Sequence, residues 1–217
     1  MAKNKRLMAL AEAIKGYDTA IDIGTDHGYV LKYALDHHYI KKGIAADIAE
    51  QPLALARKNL EGYPVTFHLS DGFLNVQDSF DVAIIAGMGA YTISHIIKGA
   101  PKGDFDMILM AHDHLDDLRT FLSGNGYNII YEKIIEVKRF YHLMKVERRI
   151  MNLTEKQRIT GYHVVMDNVA AKYMLESHKK RALYATRATG DQAIQLKKES
   201  EYFLDMYESY QKGVSHQ

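Results

Sequence analysis

The apolar positions follow two different periods, and the change between them divides the chain into two parts. From residue 19 to about residue 126, short apolar runs alternate with segments of helical periodicity, a pattern typical of a parallel α/β sheet. The predicted parallel strands are Thr19–Ile23, Gly43–Asp47, Val65–Leu69, Asp81–Ala86 and Asp106–Met110. Two further β-rich stretches, Tyr127–Ile135 and Phe140–Glu147, lie too close together for a parallel crossover, so they predict an antiparallel pair at the edge of the sheet.

Helix signals fall between the predicted strands. In Gln51–Leu60, Pro52 stands in the first turn and Gly62 follows the end, which is the usual order of start and stop residues. The apolar residues of positions 7–14 recur every three or four residues between charged ones. This spacing predicts an amphipathic helix at the start of the chain and not a signal peptide.

After Met151 the strand patterns stop, and two helical segments, broken at residues 189–191, run to the end. A three-four spacing links Ala193, Leu196, Ser200, Phe203, Tyr207 and Tyr210 in the second segment, and Leu175, His178, Ala182 and Ala185 in the first. This spacing predicts an antiparallel coiled-coil hairpin in which large residues of one helix meet small residues of the other. We therefore expect a sheet domain over residues 1–150 and a helical tail over residues 151–217.

Composition narrows the functional classes only slightly. The 217 residues include no cysteine, which excludes disulfides, thiolate-ligated zinc and cysteine nucleophiles. No apolar run approaches the ~20 residues that a bilayer span needs, so we expect a cytoplasmic protein without a membrane partner. The formal net charge of +1 favours neither nucleic acids nor acidic partners.

The segment Asp22–Gly28 lies where the first strand ends and the next helix begins. Glycines at such a turn let the backbone approach a ligand, and the free N–H groups of a helix start attract a negative group such as the carboxylate of a methionine moiety. An alternative is a simple tight turn with Asp26 as the N-cap of the helix.

Acids follow the next two predicted strands as well. Asp47 ends the second strand, where a carboxylate can accept hydrogen bonds from ribose hydroxyls, and Asp71 follows the third, where it can accept from an adenine amino group. Each is also common as a turn residue. Together with Asp22–Gly28 they indicate a nucleotide-cofactor site at neighbouring strand ends. A nicotinamide enzyme fits less well, because the G-x-G-x-x-G motif is missing and Asp71 is extra.

The fourth strand delivers Gly87, Met88 and Gly89 to the same edge of the sheet. Enzymes that methylate exocyclic amines usually carry an Asn/Asp-Pro-Pro-Tyr loop here, so these glycines favour a ring nitrogen as the acceptor. A tight strand-to-helix turn explains the same letters. Asp81 opens this strand and so lies at the wrong end for chemistry.

The segment Ala111–Asp117 resembles a metal site because it holds two histidines, His112 and His114, among acids that include Asp113. On a helix, His112 and Asp116 share a face, which makes a two-point metal site possible. An acidic first turn stabilised by the helix dipole explains the same residues, and we favour it. A role in lining the acceptor cleft is the next alternative, and no metal is expected.

The segments Asp22–Tyr29 and Ile85–Gly89 resemble the bacterial tRNA (adenine-22) N1-methyltransferase family, class I methyltransferases that use S-adenosylmethionine. The likeness runs from Lys5–Leu7 to Leu153–Glu155. It implies a Rossmann-like α/β sheet with a helical coiled-coil tail, and methyl transfer to N1 of an adenine in the D-arm region of tRNA. The resemblance has two departures: many relatives have alanine where this chain has Gly28, and the Leu-Gln-Pro-Asn expected after the fifth strand is replaced by Leu109–His112, which affects the rim of the target pocket.

The expected site has two groups of residues. The residues expected to bind S-adenosylmethionine are Asp22, Gly24, Thr25, Gly28, Asp47, Ile48, Asp71, Gly72 and Ala86. Those expected at the reacting base are Asp26, His27, Tyr29, Gly87 and Met88. Tyr29 is either a stacking platform or a helix-packing residue, and His27 either hydrogen-bonds the base edge or is a plain loop residue. Basic residues at Lys179–Arg181, Arg187, Lys3, Lys5 and Arg6 either contact tRNA phosphates or form solvated helix faces.

The expected protein is a monomer whose partner is tRNA. A methyltransferase for a small molecule or another RNA is the alternative enzyme. A non-catalytic RNA-binding or scaffold protein is the alternative from another class.

Overall fold

A seven-stranded sheet forms the centre of the computed structural model, which describes residues 2–214 and the side chains of residues 5–214. The strands are β1 (Thr19–Ile23), β2 (Lys42–Asp47), β3 (Val65–Leu69), β4 (Val82–Met88), β5 (Asp106–Ala111), β6 (Tyr127–Glu136) and β7 (Phe140–Arg148). Their order across the sheet is β3-β2-β1-β4-β5-β7-β6. The first five strands are parallel, and β7 runs antiparallel to both β5 and β6.

Helices cover both faces of this sheet. They are α1 (Ala2–Ala13), α2 (Tyr29–Asp36), α3 (Glu50–Asn59), α4 (Ala90–Lys98), α5 (Leu115–Gly124), α6 (Glu155–Thr160), α7 (Asn168–Ala185) and α8 (Gly190–Val214). Alternate residues of β4 point to opposite faces: Val82 and Ile84 pack with α1, α2 and α3, and Ala83 and Ile85 pack with α4 and α5. Among residues 2–214, no helix has the length and apolar character needed to span a bilayer.

The predicted fold class is confirmed, including the antiparallel pair at the edge of the sheet. The strand boundaries agree with the prediction to within one residue except at the end of β4. Strand β4 runs on through Gly87 to Met88, with an irregularity in its pairing to β5 between Ala86 and Met88. Gly87 has a φ of 85° in this irregularity, so the strand end bends beside the site.

The tail forms the predicted hairpin, with α7 packed along α8. Ser200 and Phe203 of the predicted stripe on α8 are buried. On α7 the predicted stripe is partly confirmed, because Ala185 is buried and His178 hydrogen-bonds to Ser200 of α8. Met174 and Ser177, which were not predicted, are more buried than Leu175 and His178. The reason is that α7 also packs against the sheet: Met174 and Phe203 share one apolar cluster with Ile134 of β6.

Candidate functional site

A cavity of about 730 Å³ opens at the carboxyl ends of β1 to β4. The structure brings almost all of the predicted site residues to its wall. They are Asp22, Gly24, Thr25, Asp26, His27, Tyr29, Asp47, Ile48, Asp71, Gly72, Ala86, Gly87 and Met88. The meeting of four strand ends at one edge explains why residues far apart in the chain become neighbours here.

The loop after β1 is tied to the end of β2. The amides of Gly24 and Thr25 both donate to the carbonyl of Ala46, at 2.8 and 3.1 Å. Gly24 has a φ of +76°, and a Cβ there would lie 2.2 Å from the Cε atom of Met88. The backbone angle favours glycine at this position, and a Cβ would also require the flexible end of the Met88 side chain to move.

Asp22 is a buried carboxyl at the floor of the cavity. The hydroxyl of Thr25 donates to it at 2.9 Å. Burial raises the pKa of Asp22 from 3.8 to about 7; the Thr25 hydrogen bond opposes this, and the nearby charges of Asp47 and Asp26 add to it. A ligand that brings a positive charge to Asp22 would favour the ionised form of this carboxyl.

The raised pKa of Asp22 implies that the free energy of unfolding depends on pH. Because the folded protein holds the Asp22 proton more tightly than the unfolded chain, stability falls as pH rises from about 4 to about 7. We expect Asp22→Asn to raise the free energy of unfolding of the ligand-free protein by roughly 4 kcal/mol at pH 8.5 and by much less at pH 5. Urea unfolding at the two pH values measures both changes.

The control for this experiment is Asp71→Asn, which changes an exposed carboxyl of the same cavity. It should alter the free energy of unfolding little at either pH. An equal gain from Asp22→Asn at pH 5 and pH 8.5 would contradict the assigned pKa.

Two further acids stand above this floor. Asp47 is buried, and its two carboxylate oxygens accept from the amides of Asp26, at 3.3 Å, and Ala49, at 3.0 Å. The next side chain, Ile48, is 69% exposed on the cavity wall. Asp71 is exposed at the other side of the opening. The site therefore combines hydrogen-bond acceptors with an uncovered apolar surface.

The residues after Thr25, which were predicted to lie at the reacting base, form one side of the cavity. Asp26 has a φ of 50°, which is unusual for a residue other than glycine, and its carboxylate lies 2.7 Å from Nδ1 of His27. The rings of His27 and Tyr29 stack with centroids 5.4 Å apart, and Tyr29 is 51% exposed. The alternative that Asp26 caps the following helix is wrong, because Gly28 is the N-cap of α2.

Gly28 differs from the other predicted residues because it lies outside the cavity wall. It is buried with a φ of +71°, and a Cβ there would lie 2.5 Å from Cδ1 of Leu60. Because Gly28 has no side chain, α2 can begin close to the end of α3. Gly28 therefore supports the loop after β1 by packing and does not line the cavity.

Sequence reasoning missed two walls of the cavity. Helix α1 supplies Arg6, Leu7 and Leu10, and α4 supplies residues that include Thr92 and His95. The apolar spacing of α1 predicted a helix but gave no sign that one end of its apolar face reaches the cavity. The position of α4 directly after Gly89 was the available signal for that wall.

The histidine-rich segment lies between β5 and α5, and His112 precedes the helix, so it does not share a helix face with Asp116. Asp116 and Asp117 lie in the first turn of α5, as favoured above. Asp117 accepts from the hydroxyl of Tyr91 at 2.8 Å, and Asp116 pairs with Arg158 at 3.0 Å. Among the described residues, no three His, Asp or Glu side chains are placed to hold a metal ion.

Comparison with known proteins places this geometry in a family. The methyltransferase-domain family matches residues 3–144. A candidate tRNA methyltransferase of Mycoplasma pneumoniae is 32% identical over 71% of this chain and 75% of its own length. The chain belongs to the bacterial tRNA methyltransferase family.

Other members of this methyltransferase family are similar in sequence and in fold. The tRNA (adenine(22)-N(1))-methyltransferase of Bacillus subtilis is 33% identical over 61% of this chain, and the match spans 59% of that relative. The structure of M. capricolum TrmK, which contains S-adenosyl-homocysteine, has a TM-score of 0.80 at 23% identity and covers 94% of this chain and 96% of its own. The resemblance drawn from Asp22–Tyr29 and Ile85–Gly89 is thereby confirmed.

Proposed function

We propose that this protein transfers a methyl group from S-adenosylmethionine to N1 of adenine 22 in tRNA. One observation carries the proposal. In a member of the tRNA methyltransferase family, the acids Asp22, Asp47 and Asp71 meet around one cavity at the carboxyl ends of parallel strands. Membership of the family supports tRNA as the methyl acceptor, and the residues of the cavity support S-adenosylmethionine as the methyl donor.

The donor set of the cavity fits S-adenosylmethionine. Asp47 offers carboxylate oxygens to ribose hydroxyls, and Asp71 offers an acceptor to the adenine amino group. The exposed side chain of Ile48 offers an apolar surface to the adenine ring. Gly24 lets the methionine moiety approach the backbone, and the carboxyl of Asp22 accepts from its ammonium group.

The reaction needs positioning more than acid or base catalysis. S-adenosylmethionine supplies an electrophilic methyl group on a sulfonium centre; as the N1 lone pair forms the new C–N bond, the C–S bond breaks and its electron pair stays on sulfur. Since N1 of neutral adenine carries no proton, no residue must remove one. The rate therefore depends on how closely the protein holds the base to the methyl group.

The stacked pair His27 and Tyr29 is the platform for the target base. An adenine N1 within a duplex is unreachable, so the base must leave its stack and find another surface. Stacking on an aromatic side chain contributes ~1–3 kcal/mol per base. The exposed ring of Tyr29 beside the cofactor loop offers that surface.

Removing this ring is expected to raise the KM for tRNA about tenfold, because the extruded base loses its stacking partner. Tyr29→Ala should show this loss while its affinity for S-adenosylmethionine stays within about threefold of the wild type. Tyr29→Phe keeps the ring and should behave like the wild type. The measurement is the transfer of a labelled methyl group to tRNA at varied tRNA concentration. Equal KM values for all three proteins would exclude the platform.

The helical tail and the start of α1 add cations for tRNA. Lys179 and Lys180 are exposed on α7 and available for phosphates. Arg181 instead pairs with Glu199 at 2.9 Å and is a weaker candidate. Lys3, expected from the sequence to contact tRNA, lies outside the described side chains. We also infer that the enzyme is cytoplasmic and acts as a monomer without a metal ion.

A further inference from the structure

A group of cationic and aromatic side chains lies beside the cavity, and of its members the sequence indicated only Arg6 as a possible tRNA contact. Arg6 of α1 lies over the ring of Tyr141, with its Cζ 4.3 Å from the ring centroid. Arg139, in the turn between β6 and β7, lies 5.0 Å from the same centroid, and its Nε donates to the Tyr141 hydroxyl at 3.0 Å. The ring of His112, which follows β5, stands edge-on to Tyr141 at 6.4 Å.

Neither of these two guanidinium groups has a carboxylate partner within the described part of the chain. Arg181, by contrast, is neutralised by Glu199. The Nε atom of Arg6 is buried and makes no hydrogen bond to any described residue. The pKa of the Tyr141 hydroxyl is lowered by the hydrogen bond from Arg139 and by the charges of Arg6 and Arg139. The guanidinium groups of Arg6 and Arg139 therefore carry positive charge that no described carboxylate balances, and the Nε–H of Arg6 is free to donate a hydrogen bond.

The group is connected to the cavity through Arg6 and His112. Arg6 and Gly87 line the same cavity, and the backbone of Gly87 hydrogen-bonds to His112. A nucleotide whose base enters the cavity must leave its sugar and phosphates at the opening. Guanidinium groups match phosphate oxygens in charge and in geometry, since their N–H donors form a planar fork.

We propose that Arg6 and Arg139, which both lie against the ring of Tyr141, bind a backbone phosphate of the RNA strand next to the target adenosine. The proposal rests on the proposed function, because it takes RNA as the substrate. The continuity of this group with the cavity and the unpaired charge of both arginines favour an RNA phosphate as the occupant. Phosphate contacts of this kind fix the register of the strand without reading its sequence.

The chain offers a matched control for this proposal on the same strand. Arg139 precedes β7 at the cavity edge of the sheet, and Arg149 follows β7 at the opposite edge, because β7 runs antiparallel to β5. Both side chains are exposed, so either can be changed to glutamine without disturbing the core. The two variants lose the same charge at opposite ends of the sheet.

Binding of unmodified tRNA is measured by fluorescence anisotropy at several salt concentrations. Arg139→Gln is expected to weaken binding about tenfold and to reduce the salt slope by about one, since one cation no longer displaces a counterion. Arg149→Gln should leave both values close to those of the wild type. Equal losses in the two variants, or no loss in either, would overturn the proposal.

A second measurement separates phosphate binding from a purely structural role of Arg139. Single linkages around the adenosine are replaced one at a time by neutral methylphosphonates. One of these should weaken binding by the wild type about tenfold and binding by Arg139→Gln hardly at all. If every methylphosphonate weakened binding by the wild type and by Arg139→Gln to the same extent, the phosphate contact would be refuted. Failure of the proposed function would instead appear as absent N1-methyladenosine, while these binding comparisons still report on Arg139.

Discussion

Glu132→Gln is expected to lower the free energy of unfolding by about 3–5 kcal/mol, because it leaves a buried guanidinium without its counter-charge. The Glu132 side chain is fully buried and accepts from Nε and Nη2 of Arg119, each at 2.7 Å. The amide of Tyr162 donates to it at 2.9 Å. Glutamine keeps the shape and removes the charge, so the loss measures the electrostatic contribution. Chemical denaturation gives the value.

The stability of the protein at acid pH provides a second test of the role of Glu132. Burial would raise the pKa of Glu132, but the charge and hydrogen bonds of Arg119, with a contribution from His142, lower it to about 2. Since the folded pKa lies below the ordinary value of 4.5, this stabilisation is present above about pH 4.5 and is lost as pH falls towards 2. The difference between Glu132→Gln and the wild type should shrink over the same range.

An exposed ion pair provides the control. Lys41 and Asp18 are 2.8 Å apart, but their side chains are 75% and 64% exposed. Lys41→Met should therefore change the free energy of unfolding by about 1 kcal/mol or less. A loss of this small size from Glu132→Gln would contradict the role given to the buried pair.

Asp47→Asn is expected to lower the affinity for S-adenosylmethionine about 100-fold, because the ribose hydroxyls lose two charge-assisted hydrogen bonds of about 1.5 kcal/mol each. The buried carboxylate of Asp47 also accepts from the amide of Asp26 and so shapes the loop after β1. Calorimetric titration measures the affinity, and the melting temperature shows whether the fold is intact.

The matched control for Asp47 lies at the other end of the sheet. Asp81 precedes β4, and its carboxylate accepts from the amide of Thr19 at 2.8 Å. Asp81→Asn removes the same charge at a strand start and should leave cofactor affinity unchanged. Comparable affinities for the two variants would mean that Asp47 does not contact the cofactor.

The cofactor half of the site was predictable because its signals are local. Asp22, Asp47 and Asp71 each stand at the end of a strand, and parallel strands bring their carboxyl ends to one edge. The glycine at position 87 indicated that the chain changes direction near the end of β4. The extension of β4 to Met88 was not predicted. The predicted strand ends, together with the glycines and acids that follow them, were enough to predict that these residues lie around one cavity.

The acceptor half was much less predictable because it depends on tertiary contacts. Arg6 and Arg139 are far apart in the chain, and only the packing of α1 beside β6 and β7 brings them to one tyrosine. The left-handed conformation of Asp26 has no signal in its neighbours. Aspartate at a helix start instead suggested a cap.

The tail was predicted as a separate element, and its attachment to the sheet could not be read from periodicity. The carbonyl of Arg158 and the amide of Tyr162 complete the hydrogen bonds of the buried Arg119 and Glu132. Removing residues 151–217 would therefore leave this pair incomplete and would uncover Ile134. Single substitutions such as Lys179→Gln test the tail's part in tRNA binding more cleanly than truncation.

The central claim is N1 methylation of one adenine, and nucleoside mass spectrometry of tRNA tests it most directly. An unmodified transcript with adenine at position 22 is incubated with the protein and S-adenosylmethionine, beside a second transcript with guanine at that position. We expect N1-methyladenosine in the first digest, none in the second, and none from the first when Asp47→Asn replaces the wild type at low cofactor concentration. Absence of N1-methyladenosine from the first transcript, or equal amounts from both, would contradict the account.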